Sequence, residues 1–218
     1  MASPKTILIL GGGIGGVVTA TRLRKKLPRE HRVVLVERSA NNVFQPSFLW
    51  LMTGARSAEE ISRPLAKLDK LGIERIQGKV ERIDPAQKTV TVNGRTLTAD
   101  YLVIALGAAQ APETIPGLAG AGHNFYTLAG AESLRDARLA LRAGRLSVLI
   151  SRIPFKCPAA PYEAAMLLEY DLRKRKVRDQ VSVDVYSPEP GPMPGRRTPG
   201  RFARWWSRKT SAIFPNTR

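Results

Sequence analysis

Three glycines and one acid stand at a spacing that can hold a diphosphate. Gly11, Gly13 and Gly16 form G-x-G-x-x-G within the run GGGIGG, and Glu37 follows the last of them by about 20 residues. In such a set the first glycine permits a tight turn, the second lets backbone approach a pyrophosphate, and the third lets a helix pack closely on a strand. The acid is placed to hydrogen-bond a ribose 2′-OH, so a dinucleotide with a free 2′-OH is expected. For Glu37 alone, a solvated strand-end carboxylate beside Arg38 is the other reading.

A second stretch carries a different chemistry. The segment SRIPFKCPAAPYE, residues 151–163, has prolines at 154, 158 and 161, no glycine, and the chain's single cysteine, Cys157. Pro158 is favoured at a first helical position and residues 159–174 have helical character, so Cys157 is expected at a helix start beside Lys156. There a thiol pKa would be lowered and a thiolate would be available as nucleophile. A buried, inert cysteine capping the helix is the alternative. Glu163 is either a proton acceptor on the same helix or a solvated, capping carboxylate.

The elements that must position these groups follow from local patterns. Thr6–Leu10 and Arg32–Glu37 are short β-branched and aliphatic runs, which predict strands buried on both faces of a parallel sheet. Residues 17–26 predict the helix between them, with its free N–H groups and dipole aimed at the glycine turn. Residues 57–71 are charged and helix-compatible, interrupted by Pro64 and stopped by Gly72. Residues 77–83, 89–92 and 95–97 alternate apolar and polar side chains, and Asn93-Gly94 is a hairpin signal, which predicts a β-meander inserted in an α/β pattern. Residues 100–106 return as a buried strand closed by Gly107. After a proline- and glycine-punctuated connector, residues 129–143 predict a helix and 146–150 another buried strand. No glycine fingerprint follows that strand, which disfavours a nicotinamide dinucleotide in this half. Between residues 39 and 52, Phe44, Pro46, Phe48 and Trp50 are either core or a wall for a planar ring.

Composition bounds the rest. The 218 residues exceed one typical domain, and 43% hydrophobic content suffices for a packed core. The balance of 35 basic against 18 acidic residues gives +17, which ordinarily points to nucleic acid or an anionic membrane. Seven basic residues and no acid fall after residue 194, so part of that excess is a property of the tail, and no nucleic-acid motif accompanies it. One cysteine excludes an intrachain disulfide and a multi-cysteine zinc site; His31 and His123 lack partners at ligand spacing, so no metal is expected. The first apolar run is too short for a signal or a membrane span, so the start reads as cytoplasmic.

Taken in order, GGGIGG, VVLVE, FQPSF, NGRTL, DYLVIALG and KCPAAPYE resemble the flavin-dependent sulfide:quinone oxidoreductases and the related flavocytochrome c sulfide dehydrogenases. These are two-dinucleotide-domain flavoproteins, and the resemblance runs from about residue 5 to about residue 193. It implies FAD as cofactor, with Gly11, Gly13, Ile14, Gly15, Gly16, Glu37 and Arg38 around the adenosine diphosphate and Gly107 near the flavin. It also implies that Cys157 is the catalytic cysteine: sulfide sulfur is captured on a cysteine disulfide, a thiolate attacks the flavin C4a position, and two electrons pass through FAD to quinone. The implied partners are sulfide and quinone, with association at the inner face of a membrane in full-length members. The expected architecture is α/β: a Rossmann-like FAD-binding domain with an inserted meander over 1–112, part of a second Rossmann-like domain over 113–194, and a basic tail over 195–218.

This chain departs from that pattern in two ways. The family's partner cysteine lies in a C-terminal third that these residues do not reach, so the resemblance is to a C-terminally truncated member; a further cysteine of some members corresponds to Tyr126. The tail lacks strand or helix periodicity and is expected to be disordered, as from a shifted reading frame or truncated gene, or else to be a basic, aromatic segment for an anionic surface. A non-catalytic FAD-binding fragment and a type II NADH:quinone dehydrogenase are the alternatives, the latter opposed by the absent second fingerprint.

Overall fold

A computed structural model gives the fold; it describes residues 3–120 and 122–189, and the backbone of 211–213. Two compact units emerge, one of residues 1–44 and 59–111, the other of 45–58 and 112–218. The segment 45–58, assigned from sequence to the first domain, thus packs with the second unit.

Unit 1 begins β1 (Thr6–Leu10), α1 (Ile14–Lys26), β2 (Arg32–Glu37), followed by the short antiparallel pair β3 (Asn41–Val43) and β4 (Ser62–Pro64). A 3₁₀ segment, Leu65–Leu71, leads to β5 (Glu74–Gln77). The meander β6 (Val80–Asp84), β7 (Thr89–Val92), β8 (Arg95–Thr98) precedes β9 (Tyr101–Ile104). The strand order β5-β2-β1-β9 is parallel throughout, and the meander is a separate antiparallel sheet. Side chains alternate along each strand, so β1 serves two cores. Ile7 and Ile9 join Ala20 of α1 with Val33, Leu35, Leu65 and Ile73 on one face. Leu8 and Leu10 join Val34, Val36, Val90 and Val92 beneath the meander on the other. This double cover is why β1 and β2 read as unbroken apolar runs.

Two expectations for unit 1 are corrected. The helix-compatible run 57–71 is a turn, the three-residue β4 and a 3₁₀ segment, because Pro64 has φ −60 and ψ 126 and extends the chain where a helix would need to continue. Gly72, at φ +79, does end the segment. The single strand expected over 77–83 is two strands, parted at Gly78, whose N–H donates to the Glu37 carbonyl at 3.0 Å as the chain leaves the parallel sheet for the meander.

Unit 2 contains α2 (Phe48–Met52), α3 (Leu128–Ala140), β10 (Gly144–Leu149), α4 (Ala160–Lys174), β11 (Val181–Tyr186) and β12 (Ser211–Ile213). Its sheet β10-β11-β12 is parallel, with α4 as the crossover from β10 to β11. Strand β12 lies within the tail that was expected to carry no strand; the rest of that expectation falls outside the described residues. The Thr127 side chain caps α3 by accepting the Gly130 N–H at 3.1 Å. The core gathers Val148, Ile150, Tyr162, Ala165, Leu172, Val181, Val183 and Val185. Phe48, Leu51 and Met52 are buried, whereas Phe44 and Trp50 are exposed, with the Arg56 guanidinium 5.8 Å from the Trp50 ring centroid. Among the described residues no helix is long and apolar enough to cross a membrane.

Candidate functional site

The glycine turn of unit 1 is fixed by backbone before any side chain acts. The Gly11 N–H donates to the Val36 carbonyl and the Ala105 N–H to the Leu10 carbonyl, both at 2.8 Å, so the turn hangs between β2 and the end of β9. Gly11 has φ +102, and a Cβ on it would strike the Ala105 carbonyl oxygen. A Cβ on Gly16 would strike the Gly11 carbonyl oxygen, so the absence of a side chain there sets how closely α1 approaches the turn.

Gly13 differs. It is the N-cap of α1, at φ −73, and a Cβ on it would meet nothing within 4 Å. The protein's own packing therefore does not require glycine at this position. What its missing side chain leaves free is the space over the helix N-terminus, where the first N–H groups of α1, those of Ile14, Gly15 and Gly16, have no intrahelical acceptor. No side chain caps them and no acid lies in the first turn. Aligned donors and the positive end of a helix dipole in open space make an anion cradle.

Glu37 is turned towards that cradle. One carboxylate oxygen accepts the Gly12 N–H at 2.6 Å, the other the Ser39 N–H at 2.9 Å. An ionised carboxylate has about four acceptor positions, so capacity remains for a ribose hydroxyl. Sequence reasoning passed over two participants. A Cβ on Gly12 would lie 2.7 Å from the Glu37 Cγ and 2.9 Å from a Leu65 methyl, and the Asn42 side chain donates to the Gly12 carbonyl at 2.7 Å. The third glycine of GGG was the available signal for Gly12; Asn42 had none. Arg38 is exposed, with its carbonyl accepting the Gln77 side-chain N–H at 3.3 Å. Gly107 has φ +74 with open space where a Cβ would lie. These features fit the adenosine diphosphate half of FAD: a vacant position over an uncapped helix N-terminus, and an oriented acid at the end of the adjacent strand.

Unit 2 repeats the strand–helix–strand arrangement without the glycine turn. Residues 150–159 join β10 to α4, against 11–13 between β1 and α1. Cys157 lies in this loop, exposed, with φ +51. The helix begins later than expected: Ala159 is the N-cap and Pro161, rather than Pro158, is the proline of the first turn. Cys157 therefore precedes the cap, and its carbonyl accepts the Ala160 N–H at 3.0 Å. The ammonium of Lys156 donates to the Gln45 side-chain oxygen at 2.9 Å. The Tyr126 hydroxyl donates to the Cys157 carbonyl at 3.3 Å. Burial, and secondly the charge of Cys157, push the Tyr126 hydroxyl well above the usual phenol range. Glu163 is half-buried in the first turn of α4. Buried Tyr162 donates its hydroxyl to Glu189 at 2.7 Å, just past the end of β11.

The pyridine nucleotide-disulphide oxidoreductase family, one of FAD-binding flavoproteins, matches residues 5–150. The chain is 36% identical over 192 residues to the sulfide-quinone reductase of Aquifex aeolicus, covering 85% of this chain and 44% of that protein. It is 30% identical over 187 residues to the mitochondrial sulfide:quinone oxidoreductase of Mus musculus, 81% of this chain and 40% of that one. The solved Aquifex aeolicus sulfide:quinone oxidoreductase superposes with a TM-score of 0.84 and 29% identity, covering 96% of this chain and 51% of that chain. The 218 residues thus span about half the length of these relatives. The resemblance read from the motifs and the Rossmann-like α/β fold agree with these matches, and the chain belongs to the pyridine nucleotide-disulphide oxidoreductase family.

Proposed function

We propose that the chain is the FAD-binding and sulfur-handling part of a flavin-dependent oxidoreductase of the sulfide:quinone type. The observation that carries this reading is the contrast between its two strand–helix–strand units. The first keeps a glycine turn over an open helix N-terminus, whereas the second replaces that turn with a proline-rich loop presenting an exposed thiol at Cys157. One unit suits a dinucleotide and the other suits covalent sulfur chemistry.

In this reading the N–H groups of Ile14, Gly15 and Gly16 hold the diphosphate, Gly11 and Gly16 shape the turn, and Glu37 accepts from the adenosine ribose. Arg38 and Gly107 complete the cofactor set. FAD, when bound, supplies an acceptor for two electrons. Cys157 provides the sulfur nucleophile, sulfide is the donor and quinone the acceptor. A membrane-peripheral position follows from quinone as partner, and the inner, cytoplasmic face is what the family resemblance implies.

A thiol–disulfide cycle needs two sulfurs, and Cys157 is the chain's single cysteine. The 218 residues alone are therefore expected to bind FAD yet show negligible sulfide-dependent quinone reduction. An absorbance spectrum with a steady-state assay tests both halves. A flavin band without turnover is the expected result. NAD binding in place of flavin, or sulfide:quinone activity that survives Cys157→Ser, would overturn the reading.

A further inference from the structure

We propose that Tyr126 is a positioning residue for Cys157, its hydroxyl anchoring the Cys157 backbone in a left-handed conformation that keeps the thiol at the surface. This rests on Cys157 being the sulfur nucleophile.

Cys157 sits where its own backbone does not favour it. A positive φ of +51 on a non-glycine residue crowds Cβ against the chain. The next residue, Pro158, adds a second restriction by driving its predecessor towards extended conformations. Such a residue persists only where its surroundings over-determine it. The loop holds no glycine to absorb the strain.

Two hydrogen bonds converge on the Cys157 carbonyl. That from the Ala160 N–H, at 3.0 Å, is local and belongs to the turn into α4. That from the Tyr126 hydroxyl, at 3.3 Å, comes from 31 residues away and ties the loop to a separate element.

Tyr126 is itself well held. It immediately precedes Thr127, the N-cap of α3, and its N–H donates to the Asn124 side-chain oxygen at 3.1 Å. Its ring stacks on Phe125 at 5.0 Å between centroids, and Phe125 packs against the unit 2 core. The anchor point is thus fixed by packing, and the strained residue is fixed by the anchor. Half-burial, and secondly the neighbouring cysteine, raise the Tyr126 pKa above the usual phenol range, so the hydroxyl keeps its proton and remains a donor near neutral pH.

Alkylation of the full chain by iodoacetamide, followed against pH, tests this directly. Tyr126→Phe keeps the ring and removes the donor. It is expected to slow Cys157 alkylation about threefold or more, the scale of one lost hydrogen bond, and to move the pH midpoint of the rate. The denaturation midpoint should fall by no more than the loss of one hydrogen bond accounts for. Tyr170→Phe, which removes an exposed hydroxyl from α4, should leave rate and midpoint as they were. A Tyr126→Phe chain that stays folded with an unaltered rate and pH profile would overturn the proposal. So would a slowing matched by Tyr170→Phe. Failure of the nucleophile reading appears separately, as sulfide:quinone activity insensitive to Cys157→Ser, and does not alter what the alkylation rates report.

Discussion

The Glu37 carboxylate accepts the backbone N–H of Gly12 at 2.6 Å, tying the end of β2 to the middle of the glycine turn. The acid that would meet a ribose therefore also braces the loop that would meet the diphosphate. Both tasks use one side chain.

Replacing Glu37 separates them only in part. Glu37→Gln keeps one acceptor for Gly12 but turns an amide towards the Ser39 N–H, which Glu37 accepts at 2.9 Å. FAD affinity is expected to fall about 10- to 100-fold, the scale of a lost hydrogen bond to a charged group. Fluorimetric titration of flavin-free protein measures it, and unchanged affinity would remove Glu37 from the site.

Unit 2 depends on a buried acid between two arginines. Asp171 pairs with Arg138 of α3 at 2.6 Å and with Arg175 at 2.8 Å, all three side chains 15% exposed or less. Asp171→Ala removes the shared carboxylate from two poorly solvated cations, of which Arg175 keeps, among the described residues, only its bond to the Leu141 carbonyl, and should cost unit 2 about 3–5 kcal/mol. Glu74→Ala, which breaks the solvated Arg32–Glu74 pair, should cost at most about 1 kcal/mol. Urea denaturation of the two variants compares them, and equal losses would contradict the burial argument.

Acid should loosen unit 1 through Asp100. Its carboxylate accepts the Thr6 N–H at 2.8 Å and pairs with Lys5 at 3.1 Å, and these two, the backbone bond first, hold its pKa below the ordinary aspartate value. Because the folded pKa is the lower one, this stabilisation is complete above the unfolded value of about 4 and disappears as pH falls through the depressed one. Asp100→Asn should flatten that part of the acid limb in a denaturation series from pH 6 to 2. A limb as steep as in the wild-type chain would assign the acid sensitivity elsewhere.

Local patterns made the first unit legible. The glycine turn, β1, α1, β2 and the Asn93-Gly94 hairpin are each specified within a few residues of themselves. The sequence reading joined β5 to β6 because alternation runs through Gln77 and Val80, although Gly78 marks the break. It passed over β11 although Val181, Val183 and Val185 alternate with polar residues as a strand requires; Asp184 is a buried polar member of it, paired with Arg145 on β10. Nothing near Asp184 in sequence announces that partner. The same holds for Asn42 with Gly12, Asp171 with Arg138, and Tyr126 with Cys157. These contacts join residues that periodicity cannot relate. The start of α4 was misplaced because Pro158 and Pro161 are both suited to a first turn, and the conformation of Cys157 decides between them.

Gly13→Ala tests the central claim most directly. The position has room for a methyl group and an extended backbone that alanine adopts, so the folded chain should lose only the N-cap preference for glycine over alanine, about 0.5–1 kcal/mol. If the space over Gly13 is where the FAD diphosphate meets the α1 N-terminus, flavin affinity should fall at least about 10-fold while the denaturation midpoint of the flavin-free chain moves only by that cap difference. Flavin binding as tight as in the wild-type chain, with Gly13→Ala equally well folded, would show that the dinucleotide is not held at this turn.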